Sequence, residues 1–312
     1  MSSDRPVALI IAAKDAAPTI AHAVRSALAQ GPVAEVVVVD DASTDGTAEA
    51  AEAGDDGSGR LSVVRLARNF GPAQARNRGI ASSHAPLVGA LDADDHLEPD
   101  RIARLLAFAP THWDMLADSL IMKVAGDEDS SGEPLIDVKQ TTRMDAEAFV
   151  LGNLSELVGP RRELGFLKPL FRRAFLDGHV LAYDPALRLG EDYVLYAEAL
   201  LRGADFFVTP PCGYIAIERA NSLSAAHGVG DLAALAAADE RLLRLAADQP
   251  QAAEALRRHR DAVQLNLDFR RVLDAKQQGH FASAMLGLFR TPRTASYILR
   301  ETLRARAARR VG

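Results

Sequence analysis

Cysteine is nearly absent. Cys212 stands alone among 312 residues, which excludes an intramolecular disulfide and a metal centre built from several thiolates, and fits a reducing compartment. Long apolar runs are missing too. The run Val7 to Ala13 suits a buried strand but is too short for a signal-peptide core, and no run reaches the roughly 18 residues that mark a spanning helix. The expected location is therefore the cytoplasm. Net positive charge is missing: 36 Lys and Arg stand against 42 Asp and Glu, a net charge of −6, which argues against a general nucleic-acid binder, since that needs a basic face. What excess there is gathers at the end, where Arg290 to Gly312 holds seven arginines and one acid, Glu301. Such a tail is either a solvated helix or one resting on an anionic membrane surface, so a peripheral position on the inner face of the cell membrane is included in the expectation. Glycine-rich signatures are lacking as well. After the first apolar run stands Ala12-Ala13-Lys14-Asp15, which offers neither the Gly-x-Gly-x-x-Gly of a dinucleotide dehydrogenase nor the basic glycine loop of a nucleotidyltransferase.

What is present, 48% apolar and 25% charged residues, is the makeup of a globular protein with a sizeable core. Strand and helix signals alternate through the first hundred residues. Strands are expected at Val7–Ala13, Glu35–Asp40, Leu61–Leu66 and Pro86–Leu91. Helices are expected from Thr19 to Gln30, from a cap at Ser43 or Thr44 to about Ala53, and over Gly71–Ser83. The order implies a mostly parallel sheet with right-handed crossovers, covered by helices on both faces. Further on, the patterns predict a helix over Leu97–Ala109 with Pro99 in its first turn, a strand over Trp113–Val124 and a polar hairpin loop over Gly126–Gly132. Between Arg143 and Gly165 they predict a helix and a loop, and at Pro169–Leu176 a short helix or turn. A helix over Glu191–Leu201 and strands at Asp205–Thr209 and Tyr214–Glu218 complete the pattern. Beyond Asp231 the chain becomes alanine- and leucine-rich and helical. The expected organisation is a catalytic domain over 1–230, with halves 1–110 and 111–230, and a helical extension over 231–312.

Ligands of such sheets bind beyond the carboxyl ends of the strands. Three of the four strands deliver acids there: Asp15, the pair Asp40-Asp41, and Asp92. A structural sheet has no need to gather like charges unless a cation or many hydrogen-bond donors sit among them. Asp92-Ala93-Asp94-Asp95 follows the fourth strand, where carboxylates two apart can meet one hard cation such as Mn²⁺ or Mg²⁺ and a ribose; acids in turns also cap helices. Asp41, in Asp40-Asp41-Ala42-Ser43-Thr44-Asp45-Gly46-Thr47, is placed to accept from the imide N–H of a uracil, with Asp45 or Thr44 as a plain cap. Arg76, in Ala75-Arg76-Asn77-Arg78-Gly79, either faces the base or bridges the acids.

In this order and spacing, from Pro6 to Asn221, these motifs resemble glycosyltransferase family 2, the inverting enzymes of the GT-A fold, of the type that assembles bacterial exopolysaccharides. The resemblance implies a metal-dependent hexosyltransferase using a nucleotide diphosphate sugar, with UDP the expected nucleotide, and a saccharide or lipid-linked saccharide acceptor. It implies nucleoside contacts for Asp41 and Asp92, a metal ligand at Asp94, and a catalytic base at Asp192 in Gly190-Glu191-Asp192. An inverting transfer needs one carboxylate to take the acceptor proton, although acids in a first helical turn are also ordinary dipole partners. Ala12, Lys14, Asp15 and Asp95 complete the expected donor-binding set. Lys14 departs from the family's aromatic position. In the segment resembling Tyr-x-x-Arg…Ser-x-Ser, Arg219 is the candidate for the diphosphate and His227 for the metal. Lys168, Arg172 and Glu191 are the candidates for the acceptor, the two cations suiting an anionic one. A nucleotidyltransferase making nucleotide sugars, or an inactive binding module of the same fold, is the alternative; the intact acids at 92, 94, 95 and 192 argue against the inactive module.

Overall fold

The computed structural model describes residues 6–126, 131–155, 162–218 and 228–280. Two compact units divide the chain, Met1–Ser222 and Leu223–Gly312. In the first, β1 (Val7–Ala13), α1 (Ile20–Leu28), β2 (Val33–Asp40), α2 (Thr47–Glu52), β3 (Leu61–Arg65), α3 (Pro72–Ala81) and β4 (Leu87–Ala90) follow one another. Strands β3, β2, β1 and β4 lie side by side and parallel. Val7–Ile11 and Val36–Val39 are buried throughout, as a sheet covered on both faces requires. Helix α3 lies so close to β1 that a Cβ on Gly79 would stand 2.3 Å from Cγ2 of Ile10.

After β4 come β5 (His96–Leu97), α4 (Arg101–Ala107), β6 (Met115–Asp118), β7 (Ile121–Val124), β8 (Glu133–Pro134), β9 (Thr142–Met144), α5 (Ala146–Leu151) and a 3-10 turn, Leu164–Phe166. Then follow β10 (Leu170–Arg172), α6 (Arg173–His179), α7 (Glu191–Leu201), β11 (Phe206–Thr209) and β12 (Tyr214–Glu218). The large sheet runs β3-β2-β1-β4-β10-β6-β11-β9, and a smaller one runs β5-β12-β7-β8. Strand β10 is antiparallel to both β4 and β6, β11 is parallel to β6, and β9 is antiparallel to β11. Six strands therefore share one direction, and the mixed α/β class with a mostly parallel sheet flanked by helices stands.

Several expectations need correction. The segment Pro169–Leu176 is not simply a helix or turn: its first part is β10, and α6 begins directly after it. Trp113–Val124 is not one strand. It breaks at Ser119-Leu120 into β6 and β7, which belong to different sheets; there the Ser119 hydroxyl donates to the Ile136 carbonyl and accepts from its N–H. Pro99 lies outside α4, which starts at Arg101 after Asp100 in a left-handed conformation (φ 60°). Helix α2 has none of Ser43, Thr44 or Asp45 at its N-cap, which is Gly46 in a left-handed conformation (φ 85°); Asp45, one residue earlier, accepts from the Thr47 N–H at 3.1 Å.

The second unit contributes α8 (Val229–Leu245) and α9 (Pro250–Gln277). A buried pair, His259 Nδ1 and Asp239 Oδ2 at 2.8 Å, joins the two helices. The arginine tail, 290–312, lies outside the described residues.

Candidate active site

The parallel strands end on one edge of the sheet, and the site is built there. At the end of β1, Lys14 Nζ donates to the Ala42 carbonyl at 2.8 Å and pairs with Asp15 at 2.9 Å. The Asp15 carboxylate accepts from the Thr44 N–H at 2.9 Å, and its own N–H donates to Ser43 Oγ at 2.9 Å. The Thr44 amide first and Lys14 next hold the Asp15 carboxyl below its usual range. Both residues thus tie the end of β1 to the loop after β2, with Ala12 half-buried beside them. Asp41 is buried, and its two oxygens accept from the N–H groups of Phe70 at 2.7 Å and Gly71 at 2.8 Å. It shapes the turn into α3 and keeps a second lone pair on each oxygen.

Beyond β4 the three acids part company. Asp92 Oδ1 accepts from Arg76 at 2.9 Å, and its Oδ2 lies 3.1 Å from Lys168 Nζ. Partial burial alone would raise its carboxyl, but Lys168 and Arg76 outweigh that and hold it well below the usual range. Asp94 is half-buried on the same turn. Asp95 turns inward, away from its expected place among the donor ligands. It accepts from the Tyr214 hydroxyl at 2.9 Å and the Ile217 N–H at 2.8 Å, which fastens the turn to β12. Burial first, then Asp92 and Asp94, push its carboxyl well above the ordinary value.

Arg76 and Lys168 join this edge to the start of α7. Arg76 contacts Asp92 and, through its other nitrogen, Glu191 Oε1 at 2.7 Å; Asp192 lies 3.9 Å away. Burial works against its charge, and Asp192, Asp92 and Glu191 more than restore it. Lys168 Nζ sits between Asp92 and Asp192 Oδ2, the latter at 2.8 Å. Burial opposes this ammonium as well, and the same two acids hold its pKa above the ordinary lysine value. The Tyr196 hydroxyl donates to Asp192 Oδ1 at 3.2 Å. Three carboxylates therefore share two buried cations, which leaves an excess of negative charge even before Asp94 is counted.

Lys168 and Arg172 do not form an acceptor pocket together. Because β10 runs against β4, Lys168 arrives at the acid edge, whereas Arg172 pairs with Leu87 at the opposite end of the strand. There its Nε donates to the Trp113 carbonyl and its guanidinium lies 4.6 Å from the Trp113 ring centre. Glu191 faces Arg76 rather than open solvent. Arg219 and His227 fall outside the described residues. Sequence reasoning missed the three tyrosines. Tyr196 had a signal, one helical turn after Asp192. Tyr214 opens the segment resembling Tyr-x-x-Arg, though nothing there tied it to Asp95; Tyr183 had no signal. The guanidinium of Arg76 lies over the Tyr183 ring at 5.4 Å, and Asn77 exchanges two hydrogen bonds with the Tyr183 backbone; the Arg76-Asn77 pair thus also fixes the loop that leads into α7.

Residues 8–155 match the model of the family described as Glycosyl transferase family 2. A relative in Rhizobium meliloti (strain 1021), the succinoglycan biosynthesis protein ExoU, is 48% identical over 279 residues, 89% of this chain and 81% of its own. The chain belongs to glycosyl transferase family 2. It is a glycosyltransferase, and its fold is of the GT-A type. Two solved structures share that fold. S. aureus TarS 1-349, in complex with UDP-GlcNAc, aligns with a TM-score of 0.61 at 19% identity, over 90% of each chain. The mannosyltransferase PcManGT from Pyrobaculum calidifontis, in complex with GDP-Man and Mn²⁺, aligns with a TM-score of 0.58 at 17% identity, over 96% of this chain and 80% of that one.

Proposed function

We propose that this glycosyltransferase moves a hexose from a UDP-sugar to a saccharide or lipid-linked saccharide acceptor, with inversion at the anomeric carbon, in exopolysaccharide assembly. One observation carries the reading: Arg76 and Lys168 bind Asp92, at the end of β4, to Glu191 and Asp192, at the start of α7. Two acid motifs a hundred residues apart thereby stand together, which supports reading them as the donor and base motifs of one site. The succinoglycan role of the relative in R. meliloti supports the exopolysaccharide assignment.

In this reading Asp192 takes the proton of the acceptor hydroxyl as its oxygen attacks the anomeric carbon. The bond from that carbon to the diphosphate breaks, and the nucleoside diphosphate leaves with the electron pair. Asp41 and Asp92 contact the nucleoside. The donor set fits a divalent cation: hard carboxylate oxygens carrying excess negative charge. Among the described residues no three His, Cys, Asp or Glu side chains are grouped to hold a metal alone, so Asp94 would hold it together with phosphate oxygens and water, as Mg²⁺ commonly binds. When bound, the ion neutralises charge on the departing diphosphate. No described helix is long and apolar enough to cross a membrane; contact with an anionic inner membrane surface is assigned to 290–312.

Calorimetry with UDP and with GDP, each with and without Mn²⁺, tests the proposal. UDP is expected to bind in the presence of Mn²⁺ and to weaken at least tenfold when the metal is chelated. Absence of metal-dependent UDP binding would sink the donor assignment, and a preference for GDP would change the base.

A further inference from the structure

Lys168 is placed with more care than a mere counter-ion needs. Its side chain is 5% exposed, and burying an ammonium is unfavourable unless its partners are well arranged. Its backbone is anchored as well: the carbonyl accepts from Arg101 at 3.4 Å, and Arg101 is itself buried against Asp118. Two residues later the chain enters β10, held between β4 and β6. The sheet thus sets where the ammonium points, and it points between Asp92 and Asp192.

Helix α7 fixes only the backbone of Asp192. The carboxylate would still turn about two side-chain torsions, and a proton acceptor must meet its substrate within narrow limits. Lys168 holds Oδ2 at 2.8 Å and the Tyr196 hydroxyl holds Oδ1 at 3.2 Å. Donors on opposite oxygens remove that freedom, and the Tyr183 hydroxyl also faces this carboxylate.

We propose that Lys168 is a positioning residue that acts through Asp192, with Tyr196 as its partner, and sets the rate of the transfer step rather than the affinity for the donor. The proposal rests on the reading of Asp192 as the base. The rival role, a direct ligand of the donor diphosphate, predicts the opposite split between turnover and binding.

The test is steady-state UDP release from a panel of UDP-hexoses, with water or a membrane-extracted saccharide lipid as acceptor, alongside calorimetry with UDP and Mn²⁺. For Lys168→Gln, kcat is expected to fall about 100-fold, while donor KM and UDP affinity stay within about threefold, because Asp92 loses Lys168 but is still held by Arg76 at 2.9 Å. Tyr196→Phe removes one hydroxyl and leaves the ion pairs intact; kcat is expected to fall roughly fivefold, with binding unchanged. If Lys168→Gln loses cooperative melting, Tyr196→Phe carries the test. Loss of UDP affinity with kcat preserved, or a kcat within twofold of the parent in every folded variant, would overturn the proposal. Asp192→Asn separates the two levels. If it is inactive while Lys168→Gln and Tyr196→Phe turn over normally, only the positioning role fails. If it is fully active, the base assignment fails too.

Discussion

From Pro6 to Leu91 the chain makes its side of the site from the ends of parallel strands; from Trp113 to Glu218 it makes the facing side from short pieces held in place by neighbours. The first region rests on backbone ladders and apolar packing, with β1 and β2 almost wholly buried. The second reaches the site through one three-residue strand and the first turn of one helix. Its grip depends on charge: Arg76 from the first region and Lys168 from the second hold Asp92, Glu191 and Asp192 together. Packing therefore sets where the acids stand, and the buried cations set whether the two sides form one site.

Removing a cation should strain this arrangement most. Arg76→Met leaves three carboxylates to Lys168 alone, and breaking a buried charge network of this kind typically costs about 3–5 kcal/mol. Urea unfolding measures it; a loss under about 1 kcal/mol would mean that packing alone joins the two regions. A smaller effect is expected inside the first region. Gly79→Ala puts a methyl 2.3 Å from Ile10 Cγ2, and overpacking costs about 1–3 kcal/mol. The same unfolding assay checks it, and an unchanged midpoint would show that α3 can move off β1.

The smallest effect concerns Asp95, at the junction with β12. Its raised carboxyl means that the folded protein holds this proton more tightly than the unfolded chain does. The stabilising contribution is complete below the unfolded value of about 3.9 and is lost as pH rises through the raised folded value. Asp95→Asn keeps a polar side chain but cannot ionise. In metal-free buffer its stability should lie within about 1 kcal/mol of the parent near pH 4 and gain on the parent as pH climbs toward neutral. Parallel stability curves would contradict the inward placement of Asp95.

The same contrast explains what could be read from sequence. Strands β1, β2 and β4 were legible because buried parallel strands are continuous apolar runs, whereas β3, at the sheet edge with no residue fully buried, was legible from its short Leu-Ser-Val-Val run and its place in the alternating order; the acid motifs were legible because the fold places strand ends on one edge. Helix α7 matched its expected bounds, Glu191–Leu201, and β12 matched Tyr214–Glu218. Strand β10 was not legible, since three residues are too few to show a period of two and a helix begins immediately after. That one gap misplaced Arg172. Without an antiparallel β10 nothing says that Lys168 reaches the acid edge while Arg172, four positions on, lies at the far end of the sheet. The inward turn of Asp95 was equally hidden, because only the pairing of β12 with β5 gives it Tyr214 and Ile217 as donors.

Asp192→Asn, assayed for transfer and for UDP·Mn²⁺ binding in the same preparation, tests most directly the claim that the two sides form one transfer site. UDP affinity is expected to stay within about threefold of the parent and transfer to fall by about 10²- to 10⁴-fold, the usual worth of a general base. Transfer at the parent rate would contradict that claim.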